Sequence, residues 1–152
     1  MDTVERLEAI EEIKQLKAHY FRCLDTKDWD GFAGVFAPDA VMDMSSEMRD
    51  GTTEGEGITK GNREIAAFVR GAVDPVVTVH HGHTPEIDIT SATTATGIWA
   101  MEDKLRWPEG SPLRTMHGYG HYHETYEKVD GRWLIKTLTL SRLRVDVEMA
   151  EG

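Results

Sequence analysis

From Thr94 to Trp107 the chain alternates without a break. Ala95, Gly97, Trp99, Met101, Asp103, Leu105 and Trp107 share one parity, and Thr94, Thr96, Ile98, Ala100, Glu102, Lys104 and Arg106 the other. Side chains of a strand point alternately to its two faces, so this is one long strand with an apolar face and a more polar one. Such a strand needs a sheet around it and a cover for its apolar face. Asp103 is the one acid on that face. A carboxylate out of water without a partner is costly, so Asp103 either has a buried partner or sits at the strand's solvated end. A conflict between pattern and residue is what a functional site produces.

The cover comes from the N-terminal part. Leu7, Ile10, Ile13, Leu16, Tyr20 and Leu24 recur at three- and four-residue spacing, predicting an amphipathic helix over about Val4 to Leu24. Glu8, Glu11, Glu12, Lys14 and Lys17 are read as its opposite, solvated face. Tyr20 ends the stripe, and a buried phenol needs a hydrogen-bond partner. Asp25 lies off the stripe and reaches the interior only if the helix ends near Leu24 and the chain turns through Thr26-Lys27-Asp28. Asp28 then caps a second helix whose apolar face is Trp29, Phe32, Val35 and Phe36, closed by Pro38. Val41 to Met44 reads as a short strand. Residues 45–61, with four glycines, read as a loop over a pocket. Asn62 caps a third helix carrying Ile65, Phe68 and Val69, ended by Gly71 and Asp74-Pro75.

Val76 to His83 is a strand by composition, bent at Gly82 and Pro85. His80 shares a face with Val76 and Thr78, while His81 and His83 point the other way. A histidine aimed inward is either a packed structural residue or a general base. Thr115 to Val129 is a further strand with His117, His121 and His123 on one face; no nearby acid completes a metal set. Asp130-Gly131 is a hairpin turn, and Trp133 to Val147 the last strand, with Arg142 near its end. Arg142 either binds a ligand oxygen or pairs with surface acids.

Helices early and hairpin-linked strands later make an α+β chain, with the helices gathered on one side of a curved, mostly antiparallel sheet. A sheet curled around helices leaves an apolar pocket at its open end. The 152 residues suit one domain spanning 1–152. A net charge of −10 argues against nucleic acid and anionic membranes as partners. The single cysteine, Cys23, excludes an internal disulfide and a thiol zinc site. It fits a reducing cytoplasm, as does an N-terminus without an apolar run.

Leu24 to Asp30, Leu-Asp-Thr-Lys-Asp-Trp-Asp, resembles the early motif of scytalone dehydratase and the wider SnoaL-like families. The run Tyr-Phe-Arg-Cys-Leu-Asp from Tyr20 to Asp25 is similar to the bile-acid 7α-dehydratase family. So are His-x-Gly-His-Thr-Pro-Glu-Ile from His80 to Ile87, Thr93 to Gly97, Glu102-Asp103 and Tyr126 to Lys128. The resemblance covers about Glu11 to Arg144. It implies the cone-shaped barrel of the nuclear-transport-factor-like fold, and a homo-oligomer, trimer or dimer. It places the catalytic tyrosine, aspartate, histidine and second aspartate on Tyr20, Asp25, His80 and Asp103. The family's arginine falls on Arg142, and Met44 stands where those dehydratases tend to have a second pocket tyrosine.

The implied chemistry is elimination of water from a hydrophobic hydroxy ketone, steroid or bile-acid-like substrate, with no cofactor and no metal. His80 is the expected base, Asp25 its orienting partner, Tyr20 the donor to the carbonyl oxygen and Asp103 the acid for the departing hydroxyl. Arg142, Met44, Trp99, Met101 and His117 are the expected substrate contacts, with Trp107 as a further apolar wall. An isomerase or cyclase on the same cone, and a non-catalytic small-molecule-binding protein, remain open alternatives.

Overall fold

The computed structural model describes residues 1–47 and 56–151. Three helices, α1 (Thr3–Asp25), α2 (Trp29–Gly34) and α3 (Asn62–Val73), pack with six strands. These are β1 (Phe36–Asp43), β2 (Ile58–Lys60), β3 (Val77–Ile89), β4 (Thr94–Arg106), β5 (Leu113–Val129) and β6 (Arg132–Met149). They form one sheet in the order β2-β1-β6-β5-β4-β3, open at both edges. The expected α+β class stands; the sheet is mixed, because β1 runs parallel to β6 while every other neighbour is antiparallel.

Local chemistry sets the ends of the elements. Asp2 and Glu5 form a reciprocal capping box at the start of α1, each carboxylate accepting the other's backbone N–H at 2.8 Å. The helix stops at Asp25, and Lys27 takes the left-handed conformation, φ 63°, that turns the chain. Asp28 then caps α2 by accepting from the Gly31 N–H. Asp130 and Gly131, at φ 50° and 78°, make the two-residue turn between β5 and β6.

Four expectations are corrected. The second helix ends at Gly34, and Val35, Phe36 and Pro38 belong to the approach to and start of β1. Pro38 has no N–H to donate, and the β1–β6 register is broken between Phe36 and Val41 around it. The stretch 45–61 is not all loop: Ser45–Glu47 is a 3₁₀ turn and Ile58–Lys60 pairs with β1, while residues 48–55 lie outside those described. Gly61, at φ 99°, rather than Asn62, occupies the cap of α3. That helix runs through Gly71 to Val73, and its C-terminal cap is Asp74.

The alternation of β4 is reproduced residue by residue: Ala95, Trp99, Met101, Asp103 and Leu105 are all buried. On β6 the alternation is interrupted twice. Thr125 faces Thr137 and Tyr126 faces Ile135, which leaves Lys136 unpaired; Tyr119 faces Arg144 and Gly120 faces Arg142, which leaves Leu143 unpaired. Each extra residue is a bulge that reverses the parity of the residues beyond it. Between the two bulges Leu138 and Leu140 point into the core, and Arg142 points into a cavity against the inner face of the sheet. No helix of the described residues is long and apolar enough to cross a membrane.

Candidate active site

That cavity, of about 310 Å³, opens between the inner face of β4–β6, the end of α1 and the side of α3. Its walls are mostly apolar, with Leu24, Met42, Met44, Phe68, Val69 and Trp107 among them. Its polar groups converge from six elements: Tyr20 from α1, Glu47 from the 3₁₀ turn, His80 from β3, Asp103 from β4, Tyr122 from β5 and Arg142 from β6. A larger open groove of about 550 Å³, between α1 and the β5–β6 turn, carries Glu12, His19, Arg22 and Arg132 on its rim. It holds no paired base and donor.

Asp25 does not line the cavity; it sits behind His80 at the end of α1. Its Oδ1 lies 2.7 Å from His80 Nδ1 and accepts the Thr78 hydroxyl at 2.9 Å. Its Oδ2 accepts the backbone N–H of His80 at 2.9 Å. With a carboxylate as partner, Nδ1 carries the hydrogen, and Nε2 keeps its lone pair toward the cavity. Lys27 Nζ donates to the Thr78 hydroxyl at 3.1 Å and completes the support. The left-handed turn at Lys27 thus brings both Asp25 and its own ammonium against β3.

Asp103 Oδ2 lies 3.9 Å from His80 Nε2. Of the two alternatives for Asp103 the structure shows the buried partner: it is Arg142, whose guanidinium donates from both terminal nitrogens to the two carboxylate oxygens, at 2.7 and 3.0 Å. Its Nε donates to Glu47 Oε1 at 2.6 Å. Burial opposes the charge of Arg142, but Asp103 and Glu47 outweigh it and raise its pKa. A carboxyl group held by a two-pronged donor acts there as an acceptor, which speaks against the expectation that Asp103 protonates a leaving hydroxyl. Arg142 is not near the end of its strand, since β6 continues to Met149.

The fork passes over Gly118 of β5, which pairs with Asp103 of β4. A Cβ there would strike both Arg142 and Asp103. Gly118→Ala is therefore expected to lower stability by about 1–3 kcal/mol through displacement of the ion pair, read as a fall in melting temperature.

Tyr20 and Tyr122 present a second face to the cavity, their rings 5.9 Å apart at 72°. Both are buried, and burial comes first in raising both phenol pKa values, followed by Glu124 for Tyr20 and by the Tyr20 phenol, then Asp103, for Tyr122. The hydroxyls therefore remain protonated, as hydrogen-bond donors, across the range in which proteins work.

Of the expected residues, Tyr20, Asp25, His80, Asp103, Arg142 and Met44 come together here. Trp99, Met101 and His117 do not line the cavity. Trp99 lies deeper, its indole N–H donating to Tyr126 at 2.9 Å, and Met101 sits beneath Arg142, 3.6 Å from its guanidinium. His117 lies on the outer face of the sheet, stacked on Tyr119 and bonded to Glu102 at 3.1 Å. His83 reaches the other oxygen of Glu102 at 2.9 Å. Of the three β5 histidines His117 thus does have a nearby acid, while His123 is bonded to the Ser141 hydroxyl at 3.1 Å. The bonds from the two imidazoles hold the Glu102 carboxyl below its usual range. Among the described residues no three His, Cys, Asp or Glu side chains are arranged to hold a metal.

Tyr122, Glu47, Lys17 and Glu124 lie at or behind the cavity without being expected there from the sequence. Lys17 and Glu124 form an ion pair at 2.7 Å with no exposed side-chain surface on either partner. The signal was present: Ile13, Lys17, Tyr20 and Leu24 continue one stripe at four-, three- and four-residue steps, and Tyr122, Glu124 and Tyr126 share the parity opposite the β5 histidines.

Residues 5–139 match the SnoaL-like domain family. The probable cyclase FGR4 of Gibberella zeae is 28% identical over 144 residues, which cover 90% of this chain and 92% of the cyclase. Among solved structures, a hexachlorocyclohexane dehydrochlorinase, LinA type 2, superposes with a TM-score of 0.80 at 21% identity, covering 97% of this chain and 93% of its own. A scytalone dehydratase-like protein of Novosphingobium aromaticivorans reaches 0.82 at 21% identity over 99% and 95%. These likenesses establish the cone fold for the open six-stranded sheet.

Proposed function

Since the chain belongs to the SnoaL-like domain family, we propose that it is a lyase that removes water from a hydrophobic hydroxy ketone by acid–base chemistry at His80. The observation that carries this reading is the His80 imidazole. Its Nδ1 is fixed by Asp25 at 2.7 Å, and its Nε2 faces an apolar cavity beside two buried phenols. A base positioned by a carboxylate and aimed at a bound substrate is a recurrent catalytic unit.

In this reading Tyr20 and Tyr122 donate to the ketone oxygen. Nε2 removes a proton from carbon adjacent to, or conjugated with, that carbonyl. The electron pair of the C–H bond moves toward the carbonyl oxygen, where the phenols stabilise the enolate; such a donor contributes about 3 kcal/mol. The resulting imidazolium lies between Asp25 and Asp103, which stabilise its charge. It returns the proton to the departing hydroxyl as the C–O bond breaks, so water leaves and a conjugated double bond forms. His80 thus serves as base and then acid. Support comes also from the relatives named for dehydration and dehydrochlorination, both eliminations.

The cyclase FGR4 favours a second reading, in which the same enolate attacks a second carbonyl of the substrate. The test is a turnover screen of ketosteroids and polyketide-like hydroxy ketones, followed by ultraviolet absorbance and mass spectrometry. Loss of one water with new conjugation is the expected result. Ring closure with retained mass supports the cyclase, and a shifted double bond with retained mass an isomerase. Binding without turnover across the panel overturns the enzymatic reading.

A further inference from the structure

The buried ion pair behind the two phenols is not used by the chemistry above. Lys17 Nζ lies 3.5 Å from the ring centroid of Tyr20 and 3.8 Å from that of Tyr122, with Phe21 at 5.1 Å. Among the described residues its carboxylate partner is Glu124, 2.7 Å away. Glu124 also accepts the Tyr126 hydroxyl at 2.6 Å, and that hydroxyl accepts the indole N–H of Trp99. The ammonium has three hydrogens: one goes to Glu124 and leaves two for the ring faces.

Packing alone does not account for this arrangement. A buried ion pair contributes little net stability, and apolar groups of similar volume serve as well or better. Burial also pulls the Lys17 ammonium down to about 8, against the attraction of Glu124. The charge is held in an unfavourable place, directly under the two rings whose hydroxyls form the oxygen-binding side of the cavity.

We infer that Lys17 is a positioning residue that strengthens Tyr20 and Tyr122 as hydrogen-bond donors to the enolate oxygen of the substrate. A cation over a ring face draws electron density from the ring and its phenolic O–H, which becomes a better donor. The same positive charge attracts the negative oxygen developing beyond the hydroxyl, through an interior that screens weakly. Glu124 keeps the ammonium under the rings, and the Tyr126–Trp99 chain keeps Glu124 in place. The inference rests on the reading of the cavity as an enolate-forming site.

The test uses substituted naphthols of graded acidity as enolate mimics, with absorbance reporting the ionised fraction of the bound probe. The variant is Lys17→Met with Glu124→Gln, which removes both charges and keeps an acceptor for Tyr126. Its melting curve confirms folding, and Lys17→Met with Glu124→Met serves if it does not fold. Wild-type protein is expected to bind the ionised probe preferentially, and the doubly substituted protein to lose about tenfold of that preference while binding neutral naphthol as before. A purely structural Lys17 leaves the preference unchanged in a folded variant, which overturns the inference and leaves the enolate reading intact. If wild-type protein shows no preference for the ionised probe, the enolate reading fails and the role of Lys17 with it.

Discussion

Replacing His80 by alanine is expected to lower kcat/KM for hydroxy-ketone dehydration by about a thousandfold, within the range typical of a lost general base. The fold is expected to survive. Asp25 keeps the Thr78 hydroxyl and the backbone N–H of residue 80 as donors, so its carboxylate is not stranded. A thermal melt of the variant should lie within a few degrees of wild type while progress curves become nearly flat. Asp25→Asn adds a finer check. An amide can turn its NH2 toward Nδ1, which moves the imidazole hydrogen to Nε2 and takes the lone pair from the cavity. Turnover should then fall although the ring has not moved. Near-normal turnover in His80→Ala would remove His80 from the chemistry altogether.

Replacing Arg142 by leucine is expected to give the largest loss of stability among changes at the cavity. The substitution leaves Asp103, whose side chain is 6% exposed, without either terminal donor of the fork. Breaking a buried pair from one side costs about 3–5 kcal/mol, and the lower end applies because the Arg142 side chain keeps 12% of its surface in solvent. For a chain of this length that corresponds to a fall in Tm of roughly 10 °C. The double replacement Asp103→Leu and Arg142→Leu removes both charges and should regain most of the loss. Differential scanning calorimetry of both variants checks the prediction; a single variant melting with wild type would show that the fork carries no stability.

The parts of the site that could be read from sequence are those where residue type and position agree. The parity of β4 puts Asp103 inward and calls for either a buried partner or a solvated strand end, and turn-forming residues place the end of the first helix near Leu24. Other parts were hidden for identifiable reasons. Lys17 reads as solvated by its charge, although its position continues the apolar stripe. Tyr122 and Glu124 lie on the parity opposite His117, His121 and His123, and a carboxylate between two tyrosines does not by its type mark an inward face. Which way Arg142 points could not be read at all, because the unpaired residues at Lys136 and Leu143 reset the alternation of β6, and neither residue type marks a bulge. Trp99 and Met101 were read to the correct face but not to the correct depth, since periodicity ranks faces and not distance from a cavity.

The two bulges of β6 also bear on how such a chain can change by descent. Exchanging one side chain for another between Lys136 and Leu143 leaves the phase of the strand as it was. Gaining or losing a single codon there inverts every position up to the next bulge and sends Arg142 to the outer surface, Ser141 taking its place. Lineages that keep this site are therefore free to drift in composition along β6 but not in length, and gaps in their alignments should fall outside this segment.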